Sequence, residues 1–226
     1  MTRTNFICAF YLSIVLSIVP LSGNSVLGET LTVKVKKAVD GDTLRLSDGR
    51  LVRYIGIDAP EIDHRSHSAD PFGHEAYQLN ARYVNQKTVI LEFDHERKDH
   101  YGRLLAYVFS PKGVFVNQAL LEQGLARVLY NPPNIRYFNV LLDKQRNAIK
   151  QRVGIWHNAE KWQGPFIGNT RSKRFHLKQC LLGQKVAVKN RVDFKELNDA
   201  YWQGFAPCAH CMPSAIRKLQ QKRRGD

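Results

Sequence analysis

Three short segments concentrate acids and arginines: Asp40-Gly41-Asp42-Thr43, then Arg53 to Glu61 (RYIGIDAPE), then Tyr101-Gly102-Arg103. Asp42 and Asp58 offer paired hard oxygens, which suit a hard divalent cation; ionised at neutral pH, they do not serve as general bases on their own. Glu61, three residues beyond Asp58 and held by Pro60, is placed to orient or deprotonate a water near such a cation. Arg53 and Arg103 carry planar forks that stay charged and match phosphoryl oxygens. A phosphorus centre gaining negative charge would then be flanked by one cation and two guanidiniums, as in-line attack of water on a phosphodiester requires. Each residue also has an ordinary reading. Asp-Gly is a common turn pair, Arg53 can be a paired charge at a strand rim, Glu61 a solvated loop residue, and Arg103 a charge that blunts a strand end. The set points to chemistry, not any single member.

A second group lies near the C-terminus. His176-x3-Cys180 and Cys208-x2-Cys211, with twenty-seven residues between Cys180 and Cys208, form an N/S set suited to tetrahedral zinc. Cys8 falls in the N-terminal apolar run, so three cysteines remain, and an odd number cannot all pair internally. The alternative is one disulfide, Cys208–Cys211 or Cys180–Cys208, with a spare thiol. His210, inside the knuckle, is a less suited competitor for the fourth position.

The elements that must position these residues are legible in the apolar periodicity. Leu31–Val39, Thr43–Ser47 and Leu51–Ile57 read as strands, with Asp40-Gly41-Asp42 and Asp48-Gly49 as turns. On the third strand Arg53 alternates onto the side of Leu51, Ile55 and Ile57. Gly56 and Pro60 then break the pattern, leaving Asp58 and Glu61 in a loop. Residues 63–72 are polar and without period, so His64, His67 and, just beyond, His74 read as members of a polar loop region rather than a metal cluster. Gly73–Gln86, Val116–Gln123 and Arg136–Val153 have helical spacing, the last two ending at Gly124 and Gly154. Thr88–Phe93 and Arg103–Phe109 complete five short strands. This predicts a mainly β plus α protein, a five-stranded OB-type barrel with packed helices, which is a common nucleic-acid platform.

The 226 residues carry formal net charge +14 and a sequence pI of about 9.8, which favours a polyanionic partner over a membrane surface or no partner at all. With 43% hydrophobic and 10% aromatic residues the chain is no disordered tail. Residues 1–28 have the layout of a secretory signal: an apolar run at 6–21 (FICAFYLSIVLSIVPL), short for a membrane span, then small residues at Ser22, Gly23, Ser25 and Gly28. An uncleaved anchor is the alternative. The expected product is secreted or periplasmic, beginning near Glu29, without stable membrane association.

VDGDT (39–43), RYIGIDAPE (53–61), DHYGRLLAYV (99–108), VNQALLEQGLARV (116–128) and the late Ile155-Trp156 resemble the staphylococcal-type thermonuclease family, in order and at compatible spacing over residues 31–158. The resemblance implies an OB barrel that cleaves DNA and RNA using calcium, breaking the bond on the 5′-oxygen side to leave 3′-phosphates. It implies that Asp42 and Asp58 bind calcium through carboxylates, that Ala59 adds its backbone carbonyl where a threonine is usual, and that Arg53, Glu61 and Arg103 are catalytic. Tyr101 stands where a nucleotide-contacting tyrosine occurs, and His100 replaces a lysine. The implied partners are DNA or RNA; no protein partner is implied, and a monomer is expected.

GNTRSKRFHLKQC (168–180), NRVDF (190–194) and AYWQGFAPCAHC (200–211) resemble the small zinc module of a bacterial DNA-methylation repair regulator, with histidine in the first ligand position and Phe205-Ala206 in the turn before Pro207. The expected organisation is a signal at 1–28, a nuclease domain at 31–158, a zinc-binding module at 165–214 and a basic tail at 215–226. So small a block predicts a module folded by its metal. Arg171, Lys173, Arg174, Lys185, Lys189 and Arg191 can contact phosphates or form a solvated surface. The competing function is a non-catalytic nucleic-acid-binding protein on the same barrel.

Overall fold

A computed structural model describes residues 28–62, 69–157 and 163–212 of the chain. The expected signal up to residue 27, the polar stretch 63–68 with His64 and His67, and the basic tail lie outside the described residues. Among the described residues no helix is long and apolar enough to cross a membrane.

In chain order the first block contains β1 (Thr30–Ala38), β2 (Thr43–Leu46), β3 (Leu51–Tyr54), β4 (Ile57–Asp58), α1 (Gly73–Val84), β5 (Thr88–Glu92), β6 (Leu104–Phe109), α2 (Val116–Glu122), β7 (Arg127–Val128) and α3 (Phe138–Gln151). Five of these strands close a barrel in the order β1-β2-β3-β6-β5, with β3 and β6 parallel and the other pairs antiparallel. The alternation read from sequence becomes its inside: Val35, Leu44, Leu46, Val52, Val89 and Leu91 are buried. Removing each such side chain from water contributes roughly 1.5–3 kcal/mol. The five-stranded OB-type expectation therefore holds.

Three buried amides tie the helices to the barrel where the chain turns. Asn80 on α1 accepts from the Tyr54 hydroxyl at 2.7 Å and donates to the Asp40 carbonyl at 2.8 Å. Asn117 on α2 accepts from Val108 N–H at 3.0 Å and donates to the Ile55 carbonyl at 2.8 Å. Gln145 on α3 accepts from Val128 N–H at 2.7 Å and donates to the Tyr201 carbonyl at 2.6 Å. A buried amide left unsatisfied costs about 1–3 kcal/mol, so these bonds specify where each turn sits.

The third strand is shorter than its pattern predicts. It ends at Tyr54, Gly56 turns the chain at φ +79°, and Ile57–Asp58 leaves the barrel to pair antiparallel with Arg127–Val128. Only glycine adopts that angle without strain, and a Cβ there would lie 2.7 Å from Leu141 Cδ1. Asp58 thus stands on a short strand and not in a loop. Arg53 stays half-buried while Ile55 and Ile57 are buried, because the turn moves them off its strand side. The long helix begins at Phe138, not Arg136. Arg136 N–H bonds Asp94 at 3.1 Å and the Tyr137 hydroxyl bonds Glu92 at 3.1 Å, which holds both residues against the barrel.

The second block is a sheet of β8 (Gln163–Asn169), β9 (Arg174–Leu177), β10 (Arg191–Glu196) and β11 (Ala206–Pro207) in the order β10-β8-β9-β11, with α4 (Leu181–Gln184) and α5 (Leu197–Trp202). This block carries an apolar cluster. Phe166, Phe175, Phe194, Tyr201, Phe205 and Met212 are buried together with Ala148 of α3 and Trp156. Phe175 meets Tyr201 edge-on at 5.3 Å, and Trp156 meets the same ring at 5.0 Å. Aromatic rings bury enough surface to give a short sheet its own apolar cluster, and α3 supplies part of it.

Candidate active site and metal cluster

The turn after β1 presents Asp42 inward at 1% exposure. Its Oδ1 accepts from the Thr43 hydroxyl at 3.2 Å and its Oδ2 from Ala59 N–H at 2.7 Å. The turn packs so closely that a Cβ on Gly41 would lie 2.5 Å from the Ala59 methyl and 2.7 Å from that of Ala76. Arg53, opposite Thr43 in register, reaches both acids. Its Nη1 pairs with Asp42 Oδ1 and its Nη2 with Asp58 Oδ1 at 2.9 Å. The structure thus brings Asp42, Arg53, Asp58 and Ala59 into one cluster.

Asp58 is also met by Arg127, its cross-strand partner on β7, through Nε at 3.3 Å. Burial pushes the Asp58 carboxyl up, but Arg127 and then Arg53 overcome that and hold it below the usual carboxylate range. Asp40, whose Oδ1 accepts from Asp42 N–H at 2.9 Å, goes the other way: burial raises it despite Arg53. Arg127 stays protonated, held by Asp58 and by Tyr201 of α5 against its own burial.

Arg103 pairs with Asp99 rather than with the Asp42–Asp58 pair, and it lines a groove of about 610 Å³ together with Arg53, Glu61, Lys98 and His100. It is fixed from its own loop. Asp99 Oδ2 accepts from Arg103 Nε at 2.7 Å, and Oδ1 from the N–H groups of Tyr101 and Arg103 at 3.0 Å each. Burial raises the Asp99 carboxyl, and the bonds and charge of Arg103 bring it below its ordinary value. Tyr101 projects at 75% exposure, its ring 3.8 Å from that of His100 and 5.6 Å from the Arg103 guanidinium carbon. Such a ring is free to stack on a base. Glu61 follows Pro60 and lines the groove, its N–H bonded to Asp70 at 3.2 Å.

Residue types alone gave no role to Asp99, Arg127 or Tyr201. Asp99 and Arg127 fall inside recognisable segments, DHYGR and GLARV, which was the available signal; Tyr201 reaches the site only through the second block.

On the second sheet the ligand atoms of His176, Cys180, Cys208 and Cys211 lie within 4.8 Å of one another, a group able to hold a metal ion. His176 comes from β9, Cys180 from the start of α4, and the other two from the turn after β11. All three cysteines are free thiols, and Cys180 Sγ is 3.5 Å from His176 Nδ1. His210 is exposed and outside the group. Burial pushes the Cys211 thiol up to about 12, whereas Cys180, also opposed by burial, is drawn down by the Gly183 N–H and its neighbours. Of the basic residues of this block, Arg171, Lys185, Lys189 and Arg191 are exposed, Lys173 lies over the Phe205 ring at 4.5 Å, and Arg174 turns toward Asp58.

A family model described as a staphylococcal nuclease homologue matches residues 51–158. The thermonuclease of Staphylococcus hyicus is 38% identical over 130 residues, 56% of this chain and 76% of that protein. The thermonuclease of Staphylococcus intermedius is 38% identical over 138 residues, 60% of this chain and 80% of that protein. The SPbeta prophage-derived endonuclease YokF of Bacillus subtilis is 35% identical over 167 residues, 71% of this chain, which spans 56% of that longer relative. Similarity at that level across more than three quarters of two thermonucleases means that this chain belongs to the staphylococcal nuclease family and is a nuclease-type hydrolase.

Proposed function

We propose that this chain cleaves internal phosphodiester bonds of DNA, and of RNA, with calcium at Asp42, Asp58 and the Ala59 carbonyl, and that it acts outside the cytoplasm after loss of residues 1–28. The observation that carries the reading is the placement of two carboxylates on one guanidinium, beside a groove that Arg53, Glu61 and Arg103 line together. The donor set fits a hard divalent ion: all oxygen, with Asp42 already oriented by Thr43 and Ala59. Calcium bound there supplies charge that polarises a phosphoryl oxygen and a nearby water.

The chain's own groups do the remainder. Arg53 and Arg103 present forks to the non-bridging oxygens, and these contacts strengthen as negative charge develops there. Glu61 orients the attacking water and takes its proton. As the new O–P bond forms, the P–O5′ bond breaks in line; the 3′-phosphate stays on one product, and the released 5′-oxygen takes a proton from water. Tyr101 stacks on a neighbouring base.

The division into a nuclease domain at 31–158 and a module at 165–214 belongs to the same proposal, with zinc at His176, Cys180, Cys208 and Cys211 clamping the second sheet. One imidazole and three thiol groups, their ligand atoms within 4.8 Å of one another, are the donor types that a tetrahedral zinc site takes.

The test is cleavage of single- and double-stranded DNA and of RNA by the chain from Glu29, with calcium and with a calcium-selective chelator, for wild type and Glu61→Gln. Calcium-dependent cleavage is expected. The variant is expected to lose about 10²- to 10⁴-fold in turnover while retaining DNA equally well. Binding without cleavage under both conditions would make this a non-catalytic barrel.

A further inference from the structure

A second cleft, of about 350 Å³, adjoins the groove. Glu61 and Leu129 line both. Asp58, Ala59 and Glu61 form its barrel side; Arg174, Pro207 and Cys208 form the side that belongs to the second sheet. Arg127 also lines it but is committed to Asp58.

Arg174 is different. It is half-buried at the start of β9, beside Ala206 in parallel register. Its Nη1 donates to the Pro207 carbonyl at 3.5 Å, and among the described residues no carboxylate lies within ion-pair reach of it. Burial lowers its pKa while the charge of Asp58 raises it, and a guanidinium remains charged at neutral pH in either case. A partly desolvated cation with most of its five donors unused is costly without an anion, and this one faces a cleft next to the scissile site. Cys208, a member of the His/Cys group, also lines the cleft, so an effect of Arg174 on that group must be separated from one on substrate binding.

We propose that Arg174 forms a phosphate subsite for a backbone phosphate outside the scissile bond, so that a single polynucleotide strand runs from the barrel groove past Glu61 and between the two sheets. The proposal rests on the reading of Arg53, Glu61 and Arg103 as a phosphodiesterase centre. It makes the second sheet part of the substrate path, and it makes the substrate a strand of several nucleotides.

The experiment compares a dinucleoside monophosphate, which carries only the scissile phosphate, with a single-stranded octanucleotide, for wild type and Arg174→Ala. The full chain is used with calcium present, and its zinc content is measured in parallel. The expected result is about a tenfold rise in KM for the octanucleotide, the size of one charge-assisted contact. Its log KM against log salt slope is expected to fall by about 0.7. The kcat and KM for the dinucleotide, and its calcium dependence, are expected to stay as in wild type. Equal losses on both substrates, a shifted calcium requirement on the dinucleotide, or no loss on either would overturn the proposal. Should Arg174→Ala lose zinc or fold, the wild-type protein answers by itself. In octanucleotides made neutral at one linkage at a time with methylphosphonate, one linkage outside the scissile bond is expected to cost the same tenfold, and the absence of any such linkage overturns the subsite. Wild type that cleaves neither substrate would instead refute the nuclease reading.

Discussion

Backbone bonds close the loop that carries Arg103, but the Asp99 carboxylate is what fixes the Arg103 side chain, so Asp99→Asn should impair catalysis more than folding. Asp99 accepts two backbone N–H groups at 3.0 Å each and the Arg103 Nε–H at 2.7 Å. The asparagine keeps an oxygen for the two backbone donors but replaces the charged partner of Arg103 with an amide. A hydrogen bond to a charged group contributes about 1.5–3 kcal/mol. With the Arg103 side chain 29% exposed and that of Asp99 13%, screening reduces this to roughly 1 kcal/mol of stability. The effect on turnover is larger, because the Arg103 fork is then free to swing, and a misplacement of about 1 Å can cost on the order of 10²-fold. The assay is a cycle of wild type, Asp99→Asn, Arg103→Ala and the double variant, with kcat on single-stranded DNA and a urea titration for each. If Asp99 acts through Arg103, the double variant is no slower than Arg103→Ala alone. Wild-type kcat in Asp99→Asn, or losses that simply multiply, would refute the reasoning.

Because the folded Asp99 carboxyl lies below its unfolded value, the stability it adds is present above the ordinary carboxylate pKa and lost as pH falls through the lower, folded one. The urea midpoints of wild type and Asp99→Asn should therefore stay a constant interval apart from pH 7 down to about 4 and converge only below that. Gly56→Ala forces a side chain into φ +79° with its Cβ 2.7 Å from Leu141. It should destabilise by about 2–4 kcal/mol and depress kcat as well, since this turn delivers Asp58; a variant as stable as wild type would show that the turn is not constrained. Phe175→Ala empties a fully buried ring site beside Phe166 and Tyr201. Urea titration should show a loss of about 3–5 kcal/mol even with zinc saturating, whereas a fold held by metal alone would show almost none.

The barrel strands were legible because period-two alternation is a local record of which face is buried, as Val35, Leu44 and Leu46 illustrate. The three helices of the first block were legible too, apart from ends set by distant partners: Arg136 and Tyr137 have helical spacing, yet Asp94 and Glu92 hold them outside α3. The helices α4 and α5 of the second block were not read at all. The acid, arginine and thiol-imidazole groupings could be read because each lies in short, spaced segments. Folding placed Asp42, Arg53, Asp58 and Ala59 in one cluster, and His176, Cys180, Cys208 and Cys211 in another.

Residue types and spacing in this chain determined the candidate chemistry and the elements that carry it. Tertiary structure alone decided that Gly56 would split a strand to set Asp58 opposite Arg127, that Gln145 and Tyr201 would join the second sheet to that pair, and that Arg174 would face the same cleft as Glu61. The physical reason is range. Periodicity and turn preference act over a few residues, whereas the pairing of positions 58 and 127, or of 145 and 201, is chosen by the joint burial of two aromatic and aliphatic clusters whose members are scattered along the chain.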